Sequence, residues 1–103
     1  MFVLNQPQQR PNDDLMKTAF LLLAQFDGKA VIPVEDVCRE YFWHLTVEKF
    51  LRKALAGEIG LPVVRMEGSK RSARGVHLND LADYLDKQAD AARKEAEQLR
   101  HTA

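Results

Sequence analysis

The hydrophobic positions of the chain begin to repeat at helical spacing near its fifteenth residue. Between Leu15 and Phe26, apolar residues recur three and four positions apart, which predicts an amphipathic helix. Gly28 follows and suits the C-cap of that helix. Residues 1–13 are rich in Gln, Pro and Asn and have little apolar surface to bury, so they are predicted to form a disordered leader. Met16 offers an alternative start.

Two shorter helical patterns follow. The first is predicted over about residues 34–42, where Pro33 suits the first turn because no amide donor is missed there. The second is predicted over about residues 47–56, with Thr46 as its N-cap and Gly57 as its end. Two short helices joined by a turn of three or four residues form the helix-turn-helix arrangement.

The second helix of this pair separates its apolar and basic side chains. Those predicted to face the core are Val47, Phe50, Leu51, Ala54 and Leu55. Three cations at positions i, i+3 and i+4 are predicted to share the other side, namely Lys49, Arg52 and Lys53. A solvated surface helix has the same pattern, so these residues alone leave both interpretations open.

Alternating residues after this helix predict a β-hairpin over about residues 62–78, and the β-prone run 30–32 precedes the helix pair. The side chains predicted to point inward are Pro62, Val64, Met66, Val76 and Leu78. The hairpin tip carries three cations and two serines, and such residues neutralise phosphate charge and donate hydrogen bonds to it. A loop kept soluble by its charge is the alternative. A basic helix followed by a basic hairpin favours DNA binding.

A long helix is predicted from Asn79, as its N-cap, to about Arg100. Its first part is predicted to dock on the core through Leu81, Tyr84 and Leu85. A thin apolar seam is predicted to pair two copies of the chain through Leu85, Ala89, Ala92, Ala96 and Leu99. A frayed, solvent-exposed helix is the competing interpretation.

These elements predict an α+β fold, namely a winged helix-turn-helix with an N-terminal helix and a long C-terminal helix. The predicted organisation is a leader at 1–13, a winged helix-turn-helix DNA-binding domain at 14–87 and a C-terminal helical extension at 88–103. With 103 residues, 46% of them hydrophobic, the chain fits one compact domain.

The zero net charge hides a basic middle. Residues 49–75 hold seven basic and two acidic residues, so this block carries +5 and the remainder −5. The chain lacks a run of the ~18 apolar residues that a membrane span needs, and it lacks the zones of a secretory signal. With the single cysteine, Cys38, this predicts a cytoplasmic protein without a membrane partner.

Catalytic patterns are missing from the sequence. It has neither a glycine-rich phosphate loop nor a nucleophile motif, and Cys38 and His44 have no companions at zinc spacing. The acidic series between Asp80 and Asp90 alternates with cations, as on a solvated helix. We therefore expect no enzyme activity, no cofactor and no metal.

The order of several short motifs over about residues 16–84 resembles the pyocin activator (PrtN-like) family of prophage regulators. The matching motifs are Ala30-Val31-Ile32-Pro33, Glu35-Asp36-Val37, Tyr41-Phe42, Leu45-Thr46-x-Glu48-Lys49-Phe50-Leu51-Arg52-Lys53, Ala56-Gly57-Glu58-Ile59, Leu61-Pro62-x-Val64-Arg65, Ser69-Lys70, Val76-His77 and Asp80-Leu81-Ala82. The resemblance implies an activator that binds duplex DNA upstream of the promoters of phage-tail-like bacteriocin genes. RNA polymerase would be a further partner. More distantly, the layout resembles the winged helix-turn-helix of MerR-type regulators and excisionases.

The side chains predicted to contact DNA are Thr46, Lys49, Arg52, Lys53, Arg65, Ser69, Lys70, Arg71, Ser72, Arg74 and His77. Arg52 is the best candidate for reading a guanine edge, whereas Lys70, Arg71 and Arg74 are expected to contact phosphates. A homodimer is predicted, because one small module covers few base pairs. An antirepressor-like protein that binds another regulator and an excisionase-like architectural DNA-binding protein remain open as alternatives.

Overall fold

In the computed structural model, residues 10–69 and 72–102 form four helices and one small antiparallel sheet. Side chains are described for residues 16–69 and 72–101. In chain order the elements are α1 (Arg10–Gln25), β1 (Val31–Pro33), α2 (Val34–Tyr41), α3 (Val47–Leu55), β2 (Val64–Arg65), β3 (Arg74–His77) and α4 (Leu78–Thr102). The predicted α+β class and the long C-terminal helix are confirmed.

The N-terminal helix starts earlier than its apolar pattern predicts. Because α1 begins at Arg10, residues 10–13 of the predicted leader are helical. Pro11 fits the first turn, since the first four N–H groups of a helix have no acceptor within it. Gly28, with φ of 78°, follows the helix as predicted. The rest of the predicted leader, residues 1–9, lies outside the described residues.

The two longest helices, α1 and α4, pack side by side in opposite directions. The N–H of Leu78, at the start of α4, donates to the carbonyl oxygen of Ala30, just beyond α1, at 2.8 Å. Farther along both helices, Thr18 Oγ1 donates to Asp86 Oδ1 at 2.7 Å. Leu22 of α1 is buried in the core next to this contact surface. One side of α1 is therefore covered by α4.

Aromatic rings connect the helix pair α2–α3 to α4. The ring centroid of Phe42 lies 4.9 Å from that of Phe50 in α3 and 5.9 Å from that of Tyr84 in α4. Aromatic pairs at these separations stabilise a core beyond their buried area. The largest fully buried side chains come from five different elements and are Ile32, Val37, Phe50, Val76 and Leu81. This shared core fixes α3 relative to the sheet.

The sheet has the strand order β1–β3–β2, and both pairs are antiparallel. Gly75 of β3 lies opposite Pro33 of β1 on one side and Val64 of β2 on the other. A Cβ atom at Gly75 would lie 2.6 Å from the carbonyl oxygen of Ile32. The three strands can therefore approach this closely only because the position is glycine.

Local signals place both ends of α3 as predicted. Thr46 Oγ1 accepts a hydrogen bond from the N–H of Lys49 at 3.1 Å, which is the geometry of an N-cap. Gly57 has φ of 80° and follows the helix. The prediction that Leu55 faces the core is wrong, because its side chain is 66% exposed. Five residues rotate a helix by about 140°, so Leu55 points away from the side of Phe50.

The first strand of the hairpin, predicted over residues 61–66, is shorter in the structure. Pro62 has no N–H for a strand ladder, and only the two residues of β2 pair with β3. Pro62 and Met66 were predicted to point inward, but both are exposed, and Leu61 enters the core instead. The predicted burial of Val76 and Leu78 is confirmed.

Candidate nucleic-acid interface

The outward surface of α3 carries four exposed side chains. Lys49 and Arg52, spaced by three residues, are exposed. Glu48 lies four residues before Arg52, and Leu55 three residues after it, so these three share one side of the helix. We call the surface formed by Glu48, Lys49, Arg52 and Leu55 the Arg52 face. It combines two cations with one carboxylate and one apolar side chain.

Lys53, the third cation predicted to share this surface, is held by an acidic partner. Its Nζ atom lies 3.3 Å from Oε1 of Glu58, and its side chain is half-buried. Both residues line a cleft of about 590 Å³ between the helix pair and α4, whose walls include Phe42 and Tyr84. The charge of Lys53 is therefore matched at the edge of the Arg52 face.

A second cleft separates α3 from the β2–β3 hairpin and has a volume of about 600 Å³. Its lining is largely apolar and comes from α3, the hairpin and β1, through Val31, Pro33, Val47, Leu51, Met66 and Ala73. Glu35, at the start of α2, and Arg74 add opposite charges to the lining. One concave surface thus lies between α3 and the hairpin, and we call it the α3–hairpin cleft.

The basic residues of the hairpin lie on both of its strands. Arg65 of β2 and Arg74 of β3 are register partners, and Arg65 is exposed whereas Arg74 is half-buried. Ser69 is exposed, and its carbonyl oxygen accepts from the N–H of Ser72 at 3.1 Å. The predicted phosphate contacts Lys70 and Arg71 lie outside the described residues.

Ser72 shapes the hairpin instead of extending from it. Its side chain is buried, and Oγ accepts from the N–H of Glu67 at 2.8 Å and donates to the carbonyl oxygen of Ala73 at 3.1 Å. A hydroxyl whose bonds are made inside the hairpin orders the backbone near the tip. The hydroxyl of Ser72 is therefore engaged within the hairpin.

His77 begins α4 in the way that Asn79 was predicted to do. Its Nδ1 atom accepts a hydrogen bond from the N–H of Asn79 at 3.1 Å, which satisfies one of the first donors of the helix. The helix starts at Leu78, so the prediction of Asn79 as N-cap is wrong.

The predicted seam of α4 divides into a covered part and an exposed part. Leu85 packs against the core and Ala89 is half-buried, so both are partly covered by their own domain. Ala92, Ala96 and Leu99 are exposed. A dimer contact along this helix would therefore consist mainly of its last turns.

Cys38 is a free thiol buried in the core. Its burial, and to a smaller extent the nearby charge of Glu35, raises the pKa of the thiol, so it stays protonated and weakly nucleophilic at neutral pH. In the described parts of the chain, no group of three or more His, Cys, Asp or Glu residues could hold a metal ion. None of the described helices is long and apolar enough to cross a membrane.

Sequence reasoning missed three exposed side chains, of which Glu48 and Leu55 belong to the Arg52 face. Glu48 has a detectable signal, since it precedes Arg52 by four residues on the same helix. Leu55 was assigned to the core. Trp43, in the connection between α2 and α3, is 77% exposed, although its apolar character alone predicts burial.

The chain matches the model of the family described as "Pyocin activator protein PrtN" over residues 18–92. The match covers α1 from its middle, the helix pair, the sheet and more than half of α4. No curated protein and no solved structure matches the chain significantly.

Proposed function

Because the chain belongs to the pyocin activator family, we propose that it regulates pyocin genes by binding duplex DNA upstream of their promoters. In this proposal α2, α3 and the β2–β3 hairpin act as a winged helix-turn-helix. The Arg52 face enters the major groove, and the hairpin lies on the neighbouring phosphates. Activation then involves contact between the bound protein and RNA polymerase.

The cations on the two elements that border the α3–hairpin cleft carry the proposal. Lys49 and Arg52 are exposed on α3, Arg74 lines the cleft from the hairpin, and its register partner Arg65 is exposed. Two basic elements at the sides of one concave surface suit the curved, anionic backbone of DNA. An ordinary solvated helix does not require a second basic element beside it.

The Arg52 face has the dimensions and chemistry for base reading. α3 has nine residues and is therefore about 13 Å long, which fits the major groove. The Arg52 guanidinium can donate two hydrogen bonds to a guanine, and the Glu48 carboxylate can accept one from cytosine N4. Leu55 offers an apolar surface for a thymine methyl group. Lys49, Arg65 and Arg74 supply phosphate contacts that are independent of sequence.

The proposal is tested by gel shifts with promoter-upstream DNA and with random DNA at several salt concentrations. Each neutralised phosphate contributes about −0.9 to the slope of log K against log salt, so three phosphate contacts give about −2.7 on promoter-upstream DNA and a fourth, from Arg52, gives about −3.6 on random DNA. We expect these two slopes and tighter binding of the promoter-upstream DNA. Failure to bind DNA even at low salt would contradict the proposal and favour a protein-binding regulator.

Glu48→Gln is expected to raise the affinity for random DNA by about 2–10-fold, because it removes a like-charge repulsion from phosphates at the groove. If Glu48 also accepts from a cytosine, the same change lowers the preference for promoter DNA. Binding constants for both DNAs measure the two effects. Glu95→Gln, the same change on an exposed part of α4, is the matched control and should leave both constants unchanged.

A further inference from the structure

α1 has a second apolar side that its packing on α4 does not use. Met16, Phe20 and Leu23 lie at positions i, i+4 and i+7 of the helix, and their exposures are 67%, 73% and 37%. This spacing places them in one line along the helix. We call these three residues the α1 stripe.

The α1 stripe is separate from the side of α1 that joins the core. Thr18 and Leu22 face α4 and the core, and Phe20 lies about 160° around the helix from Leu22. The stripe lacks a charged member, and half-buried Ala19 borders it on the core side. The stripe is therefore a continuous apolar surface, so a protein surface that packs on it must be apolar as well.

We propose that a second copy of this chain packs on the α1 stripe, with α1 against α1 about a two-fold axis. An isologous contact pairs the stripe with itself, so one apolar surface meets another of the same length without a buried charge. The main packing partner of α1 within the chain is α4, on its other side. Two copies joined in this way leave both Arg52 faces and both hairpins available.

The exposed area sets the strength of this contact. With ~150–200 Å² for a large apolar side chain, the stripe exposes roughly 270–350 Å² per copy, which is about the size of a functional surface patch. Self-pairing buries about twice this area, together with some surface at the edges of the stripe. The total buried area still lies below the 1,200–2,000 Å² of a standard interface. The dimer is therefore weak and reversible in solution, and DNA that holds two copies side by side strengthens it.

The alternative seam on α4 offers less area. Two of its three exposed members, Ala92 and Ala96, end at a single methyl group. The stripe, in contrast, has an exposed phenylalanine at its centre, and large aromatic residues are the common anchors of protein interfaces. The stripe therefore accounts for most of the association between copies.

Sedimentation velocity of the full chain over a range of concentrations tests the proposal. The weight-average mass should rise towards that of a dimer, and Phe20→Glu should weaken association at least 10-fold by burying a charge at the centre of the contact. Leu21→Glu is the matched control, since Leu21 is 70% exposed on the same helix but lies about 100° away from Phe20. It should associate like the unchanged chain. Circular dichroism of both variants should show the unchanged helix content.

Three results would overturn the proposal. The first is that the unchanged chain stays monomeric at every concentration, which would mean that the stripe binds another protein or residues 1–9. Phe20→Glu and Leu21→Glu weaken association equally, which indicates a general charge effect. Leu99→Glu abolishes association while Phe20→Glu does not, which moves the contact to α4.

Discussion

Phe50→Ala is expected to lower the free energy of unfolding by about 3–5 kcal/mol, the usual effect of removing a fully buried phenylalanine. The Phe50 side chain has 0% exposure, and its ring packs on that of Phe42. The substitution leaves a cavity between α3 and the ring that connects α2 to α4. The free energy of unfolding of a small domain is about 5–15 kcal/mol, so the variant loses a large part of its total stability.

Urea unfolding followed by far-ultraviolet circular dichroism measures this loss. Leu55→Ala is the matched control on the same helix, because Leu55 is 66% exposed and its truncation should change stability by less than about 0.5 kcal/mol. If both variants lose the same stability, the orientation of α3 described above is incorrect.

Arg52→Ala is expected to weaken binding to promoter-upstream DNA by about 1–3 kcal/mol and to relax the preference for that sequence. Arg52 is exposed at the centre of the Arg52 face, where a guanidinium can bond two acceptors of a guanine in the major groove. Random DNA lacks that guanine in register, so binding to it should weaken only by the contribution of one phosphate contact. Gel shifts at a fixed salt concentration give the ratio of the two losses.

Lys53→Ala provides the matched control for charge. It removes one cation from the same helix, but the ammonium group of Lys53 is paired with Glu58 at 3.3 Å. We expect this variant to bind both DNAs slightly more weakly than the unchanged chain, by the same factor. If Arg52→Ala lowers the affinity for promoter and random DNA equally, Arg52 contacts phosphates and other residues read the bases.

The parts of the fold that depend on neighbouring residues were predicted well. Thr46 caps α3 and Gly57 follows it because both signals act within a few residues of the chain. Burial of Leu55 and Met66 depends on which distant elements cover them, and their apolar character alone could not supply that information. The start of α4 was predicted too late, because the N–H of Asn79 bonds to the imidazole of His77, which is a less common cap than an asparagine side chain.

The candidate site was predictable in outline but not residue by residue. Helical spacing alone places Lys49 and Arg52 on the outward side of α3. The partner of Lys53 and the buried hydroxyl of Ser72 arise from contacts that side-chain type does not encode. Glu48 was not predicted as part of the site, because a carboxylate is not expected beside phosphates, although its spacing from Arg52 places it on the same face. The α1 stripe was not predicted, because helical spacing predicts an amphipathic helix but does not show which apolar side chains α4 leaves exposed.

The buried Cys38 has a practical consequence for studying the complexes proposed here. Since it is the only thiol of the chain and is shielded within the core, a cysteine introduced on the surface would be the one group accessible to maleimide reagents. Spin labels or dyes can then be attached at chosen sites without replacing the native residue. Distances between labels on two copies would report how the two α3 helices are spaced on a duplex to which both copies bind.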